Sequence, residues 1–164
     1  ISLQRLYVKL MRLRKMPENK EFCNYDALRL ENQLCFPLYA CSREIIKKYR
    51  PFLDEIDLTY TQYITMMVLW ESQRISVKEL GKKLFLDSGT LTPVLKSLES
   101  KGLITRKRST EDERVLMVEI TEQGEKLKEK AVTIPPRVGG CIVLEPEEAI
   151  ELYRILYKIL NNNE

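Results

Sequence analysis

The stretch SVKELGKKLFLDSGTLTPVLKSLESKGLITRKRSTEDERVLMVEI, residues 76–120, decides the fold. Ser76, followed three residues later by Glu79, is a capping box in which each side chain satisfies a free backbone amide at a helix start. Leu80, Leu84 and Phe85 supply that helix's buried face. A break around Leu86-Asp87-Ser88 precedes a second helix, marked by Leu91, Val94, Leu95 and Leu98 and closed by Gly102 in the left-handed conformation. Pro93 is expected near its first turn, where a missing amide costs nothing. The period then changes. Leu103 to Arg108 and Arg114 to Ile120 are strand-like runs, the second alternating Leu116, Val118 and Ile120 on one face. Polar residues between them make a hairpin with a charged tip. Two short helices, a tight turn and a basic hairpin are the order of a winged helix-turn-helix.

Working outward, Thr59 is placed to cap a helix through Tyr63, Met66, Met67 and Trp70, which the polar Glu71-Ser72-Gln73 ends. Before it, Leu28, Leu34, Leu38, Ile45, Ile46 and Tyr49 recur at near-helical spacing from Tyr25 to Tyr49. This predicts one long helix, kinked or broken within one turn of Cys35 by Pro37 and closed by Pro51. Downstream, Thr121 caps a helix through Leu127 and Val132 that Pro135-Pro136 must stop, and a loop holding Gly139, Gly140 and Cys141 follows. Pro146 lies in the first turn of a last helix carrying Ile150, Tyr153, Leu156, Tyr157 and Leu160. The fold class is therefore mainly α with a small β-hairpin wing. The first and last helices have apolar faces too extensive for a chain this small to bury alone, which points to a second copy.

The chain has 164 residues, 31% charged and 44% apolar, enough for one packed domain. Its net charge is only +3, so affinity for a polyanion must come from local clustering. Between Arg74 and Arg114 ten basic residues face six acidic ones, and that is the patch. Histidine is absent, which excludes Ser-His-Asp and Cys-His catalysis, His-ligated zinc and a His-based pH switch. Cys23, Cys35, Cys41 and Cys141 contain no C-x-x-C pair, so neither a zinc ribbon nor a thioredoxin-like site is read. No metal and no cofactor is expected. No apolar run approaches the roughly 18 residues of a membrane span, and the expected location is cytoplasmic, without a membrane partner. Residues 1–20, basic from Arg5 to Lys15, are read as an N-terminal extension, appended or an extra packing helix in preference to a targeting presequence, whose signal-peptide geometry is missing.

The start of the second helix, Ser88, Gly89, Thr90, Thr92 and Pro93, offers small groups and free amides suited to phosphate oxygens or base edges. Lys96 is placed for a phosphate. On the hairpin, Arg106, Arg108 and Arg114 are candidate DNA contacts, with Asp112 positioned to hold the Arg114 guanidinium.

LENQLCF (Leu30 to Phe36), LTYTQY (Leu58 to Tyr63), LDSGTLTPVLKSLE (Leu86 to Glu99), KGLITRKRSTEDER (Lys101 to Arg114) and LEPEE (Leu144 to Glu148) together resemble the MarR family, and more narrowly its OhrR-type organic-hydroperoxide sensors. The resemblance implies a homodimer with interlocking N- and C-terminal helices, presenting one winged helix to each half-site of a pseudopalindromic operator in double-stranded DNA. The resemblance covers roughly Asp26 to Leu160, so that beyond the extension over 1–20 a winged-helix domain is expected over 21–164. Within that domain, dimerisation segments 24–58 and 122–162 flank a DNA-binding segment 59–121. In such sensors the LENQLCF cysteine, here Cys35, is the peroxide-sensing thiol, and tyrosine hydroxyls supplied across the dimer interface, at positions matching Tyr39, Tyr49 and Tyr60, orient it. In two-cysteine members a resolving cysteine of the partner subunit lies in about the region of Cys141; one-cysteine members use a small thiol. Cys41, about 120° around the helix from Cys35, is expected to pack. Pro37 departs from the leucine of this motif, and Ser97 stands where a basic residue is common.

The function so implied is a redox-responsive repressor that leaves its operator when an organic hydroperoxide oxidises Cys35. Two other readings compete. A thiol peroxidase would lack a recognisable peroxidatic arginine and leave the basic wing unexplained, so no enzyme is expected. A MarR-like repressor responsive to a phenolic ligand would make the cysteines structural.

Overall fold

The computed structural model describes Tyr25 and residues 28–161. The expected extension over 1–20 and Cys23 lie outside the described residues. The chain divides into two compact units, Ile1–Lys47 and Lys48–Glu164.

In the first unit a 3-10 turn, Leu30–Asn32, precedes α1, Cys35–Asp54, whose C-terminal end belongs to the second unit. Of the two proline expectations, the break near Cys35 is found and the closure at Pro51 is not. The helix starts at Cys35, so the long segment is interrupted there, and Pro37 falls in the first turn, where no carbonyl awaits its missing amide. Pro51 does not close the helix, which continues to Asp54. Residues beyond Pro51 hold the last turn, because Leu53 is fully buried and Phe52 packs against the same core.

The second unit carries α2 (Tyr60–Ser72), β1 (Arg74–Ser76), α3 (Val77–Leu84), α4 (Ser88–Ser100), β2 (Ile104–Arg108), β3 (Leu116–Ile120), α5 (Glu122–Ala131), α6 (Ile134–Gly139) and α7 (Pro146–Asn161). Caps fix the helix starts. The Thr59 hydroxyl accepts from the Gln62 amide while the Gln62 side chain accepts from the Thr59 amide, and Ser76 and Glu79 make the expected reciprocal pair. Asp87 caps α4 and Thr121 caps α5. Gly102, at φ 72, ends α4 as its sequence position implied.

The expected hairpin forms in register, with Ile104 opposite Ile120, Arg106 opposite Val118 and Arg108 opposite Leu116. A third strand joins it. β1 pairs antiparallel with β3 through Arg74–Glu119, Ile75–Val118 and Ser76–Met117, giving the order β1-β3-β2. Gln73, at φ 59, turns the chain from α2 straight into this strand.

Met66, Leu69, Leu80, Leu91, Leu95, Leu98, Ile104, Val118 and Ile134 form the centre of the core. The Trp70 indole donates to the Gly124 carbonyl at 2.9 Å, which ties α2 to α5. Three details differ from expectation. Phe85 caps α3 in the left-handed conformation at φ 53 and is 66% exposed, because reversing the chain turns its ring outward. Pro93 is the sixth residue of α4, in the second turn. Pro135 and Pro136 open α6, since proline suits a first turn, and α6 extends over Gly139 where a loop was expected.

In α7 no residue is buried, and Ile150, Leu152, Tyr153, Ile155, Tyr157 and Ile159 are all exposed. At about 100° per residue they form two stripes, Leu152, Ile155 and Ile159 on one side of the helix and Ile150, Tyr153 and Tyr157 on the other, and neither is covered inside one chain.

Candidate functional site

The helix-turn-helix consists of α3 and α4, and three leucines set the orientation of the second helix. Leu91, Leu95 and Leu98 are buried, so the opposite side of α4 faces outward. On that side Gly89, Thr92, Pro93 and Lys96 recur at i, i+3, i+4 and i+7 and are all exposed, a single stripe along the helix. Ser88 and Thr90 are exposed at its N-terminus. The Asp87 carboxylate accepts from the Thr90 amide at 2.9 Å and from the Thr90 hydroxyl at 3.0 Å, bonds that hold its pKa below the ordinary value. The Thr92 hydroxyl donates to the Ser88 carbonyl at 2.6 Å. Both hydroxyls are thereby oriented with acceptor capacity to spare.

A groove of about 1110 Å³ runs between α3, the start of α4 and the wing, with Arg74, Lys78, Lys82, Ser88 and Arg114 on its walls. That Lys78 and Lys82 of the basic patch face this groove follows from the packing of α3, which sequence spacing alone does not show.

The wing tip is organised from within. Asp112 accepts from the Arg114 backbone amide and Nε, each at 3.0 Å, and from Nη2 at 3.1 Å. This is the arrangement the sequence implied, and it lowers the Asp112 pKa while leaving the Arg114 side chain 91% exposed. Arg108 is exposed and donates from Nη1 to the Glu113 carbonyl at 2.9 Å, closing the loop. Arg106 does not join the outward set: it is engaged by Glu99 of α4. Ser97 is likewise turned inward, its hydroxyl accepting from the Gln62 side chain at 2.9 Å. A basic residue there would not point along the outer stripe.

Cys35 is the first residue of α1 and is exposed. Tyr39, one turn further on, accepts at its hydroxyl from Arg43 Nη1 at 2.7 Å. In the second unit Tyr49 and Tyr60 meet edge to face at 5.1 Å, and Tyr63 joins them with its centroid 6.0 Å from Tyr49. Burial pushes the Tyr60 and Tyr63 phenols above their ordinary pKa, so both stay protonated and remain donors at neutral pH. Tyr63 had been read only as a core position. Cys141 is exposed just past α6, where its Sγ donates to the Arg137 carbonyl at 3.4 Å. Cys41 is exposed, contrary to expectation, because α1 presents that side to solvent within one chain. Among the described residues no cluster of three or more Cys, Asp or Glu side chains is arranged to hold a metal, and no helix is long and apolar enough to cross a membrane.

Fold and site together define a winged helix-turn-helix protein with an exposed thiol at the head of its long first helix. Residues 44–131 match the family model described as transcriptional regulator SarA/Rot. Over 143 residues the chain is 51% identical to an organic hydroperoxide resistance transcriptional regulator of Bacillus subtilis, covering 87% of this chain and 95% of that protein. The solved structure of reduced AbfR bound to DNA, a protein of Staphylococcus epidermidis, aligns with TM-score 0.71 at 31% identity, over 85% of this chain and 96% of that one. Its disulfide form aligns with TM-score 0.58 at 33% identity, over 82% and 95%. The chain belongs to the MarR family of winged-helix transcriptional regulators, in the branch of the organic-hydroperoxide sensors.

Proposed function

We propose that the protein is a homodimeric repressor that holds a pseudopalindromic operator when reduced and releases it when an organic hydroperoxide oxidises Cys35. Segments 24–58 and 122–162 make the dimer, and 59–121 binds DNA. The exposed apolar stripes of α7 need a cover, and a second copy supplies equally apolar ones. Each α4 stripe enters a major groove, with half-sites about 34–36 Å apart. Ser88, Gly89, Thr90, Thr92 and Pro93 approach bases and phosphates, Lys96 a phosphate, and the Asp112-held Arg114, with Arg108, the flanking backbone. The peroxide is a signal in the cytoplasm, not a substrate turned over.

In the sensing step the Cys35 thiolate attacks the outer peroxide oxygen. The O–O bond breaks, the sulfur keeps the terminal OH as a sulfenic acid, and the alkoxide leaves as the alcohol by taking from solvent the proton the thiol had released. The thiol of Cys141 of the partner subunit then attacks that sulfur, forming the disulfide and releasing water. Tyr39, Tyr49 and Tyr60 serve as donors to the thiolate and as an apolar wall that favours organic peroxides.

The observation that carries this reading is the exposed Cys35 thiol at the head of α1, in a chain whose outward α4 stripe and wing suit DNA. Gel shifts with Cys35→Ser test it. Binding is retained and release by cumene hydroperoxide is lost; a variant that still lets go under peroxide refutes the sensor, and a phenolic ligand that releases both proteins alike supports the competing reading.

A further inference from the structure

The corner between α1 and α2 is gripped from two sides by basic residues that the DNA surface and the thiol chemistry do not use. On one side Arg137 of α6 makes a two-point ion pair with Glu55, its Nη1 and Nη2 at 2.9 and 2.7 Å from the two carboxylate oxygens. The same guanidinium lies over the Phe52 ring, 4.2 Å from its centroid. On the other side Lys101, the C-cap of α4, reaches the corner: its Nζ donates to the Asp57 carbonyl and sits 3.0 Å from the Asp57 carboxylate. Asp57 stands at φ 52, a backbone conformation that non-glycine residues rarely adopt, so this corner is held in one shape by its neighbours. Between the grips the chain is stiff, with the Ile56 and Leu58 amides both donating to the Leu53 carbonyl and Leu53, Ile56 and Leu58 buried.

Arg137 is also directly joined to Cys141. Its carbonyl accepts from the Cys141 thiol, and the Cys141 amide donates to the neighbouring Val138 carbonyl at 2.8 Å. Ile134 and Val138 anchor α6 in the core, so a pull on Cys141 is a pull on α6.

We propose that the Phe52–Asp57 corner is the link through which Cys141 acts on the recognition helix, with Arg137 and Lys101 as its two positioning residues. This rests on the disulfide reading given above: the organic hydroperoxide supplies the oxidising equivalents, and the new S–S bond supplies the displacement. The bond relocates Cys141, Arg137 carries the motion to Glu55 and Phe52, and Asp57 passes it to Lys101 at the end of α4. An interface ion pair with stacking on one side and a two-point grip on the other transmits motion in discrete steps, as packed elements do.

The test uses the full-length protein in three forms: wild type, Arg137→Met and Lys101→Met. Each is titrated against operator DNA when reduced and after cumene hydroperoxide, with non-reducing electrophoresis alongside. Reduced wild type and Arg137→Met bind within about twofold of one another, Lys101→Met is read against its own reduced affinity because it removes a charge of the basic patch, and all three form the covalent dimer. Oxidation weakens wild-type binding by about tenfold or more, while each variant loses most of that change. The exchanged pair Glu55→Arg with Arg137→Glu recovers release, which a merely structural role for Arg137 would not require. Covalent dimers that release DNA normally in both variants overturn the link alone. Absence of a covalent dimer in the wild type overturns the disulfide reading and the link with it.

Discussion

The Glu99 carboxylate of α4 holds Arg106 of β2 at three points: Oε2 accepts from Nε at 3.0 Å and from Nη2 at 2.5 Å, and Oε1 accepts from the Arg106 backbone amide at 3.1 Å. One side chain therefore sets the angle between recognition helix and wing. The bonds hold the Glu99 pKa below its ordinary value, and the Arg106 side chain is only 20% exposed. Its charge is directed inward, so its contribution to DNA binding is geometric.

Replacing Arg106 with Met is expected to weaken operator binding several-fold while leaving the slope of log K against log salt unchanged, because no phosphate contact is removed. Anisotropy titrations at four or five salt concentrations measure both. A slope smaller by about one would place Arg106 on the DNA backbone instead.

Arg114→Ala carries the opposite signature. Losing the exposed guanidinium should reduce the salt slope by about one and weaken binding to specific and random duplexes alike. Asp112→Asn keeps the cation but loosens its hold, so affinity falls with the slope intact.

Acid should weaken the fold through the caps and ion pairs. Hydrogen bonds from Ser76 to Glu79, from Thr90 to Asp87 and from Arg106 to Glu99 lower these folded-state pKa values below their unfolded ones. Their stabilisation is complete above the ordinary carboxylate range, about pH 4, and is lost as pH falls through the depressed values. Urea midpoints should be level from pH 7 to 5 and decline below about 4. Ser76→Ala should cost about 1 kcal/mol at neutral pH and remove part of the acid-dependent decline. An unchanged decline would take Glu79 out of the account.

Gly124 sits where α5 meets β2. A Cβ there would collide with the Leu103 carbonyl and lie 2.8 Å from Ile120 Cγ1. Gly124→Ala should therefore destabilise by about 1–3 kcal/mol in urea unfolding, disturbing the carbonyl that accepts from Trp70.

Much of this was legible along the chain. Caps and periodicity located the helices from Thr59 to Gly102, and the Asp112–Arg114 contact followed from two residues of spacing. What escaped notice has physical causes. β1 is three residues long and gains its strand character only from pairing with β3, more than forty positions away. Pro51 looked like a terminator because local rules omit Leu53, whose burial holds the turn beyond it. Glu99–Arg106, Lys101–Asp57 and Arg137–Glu55 carry no periodic signal, since surface charges meet wherever tertiary packing brings them. The contacts of Tyr49 with Tyr60 and Tyr63 likewise carry no sequence signal, since they join α1 to α2 through tertiary packing.

The uncovered oily flanks of α7 make this a molecule whose solidity depends on how much of it is present. Two protomers share that surface by mass action, so the melting midpoint should climb as protein is concentrated, and dilution should loosen subunits and operator together. Chilling weakens contacts of this kind as well. A cell holding few copies would then experience derepression without any oxidant.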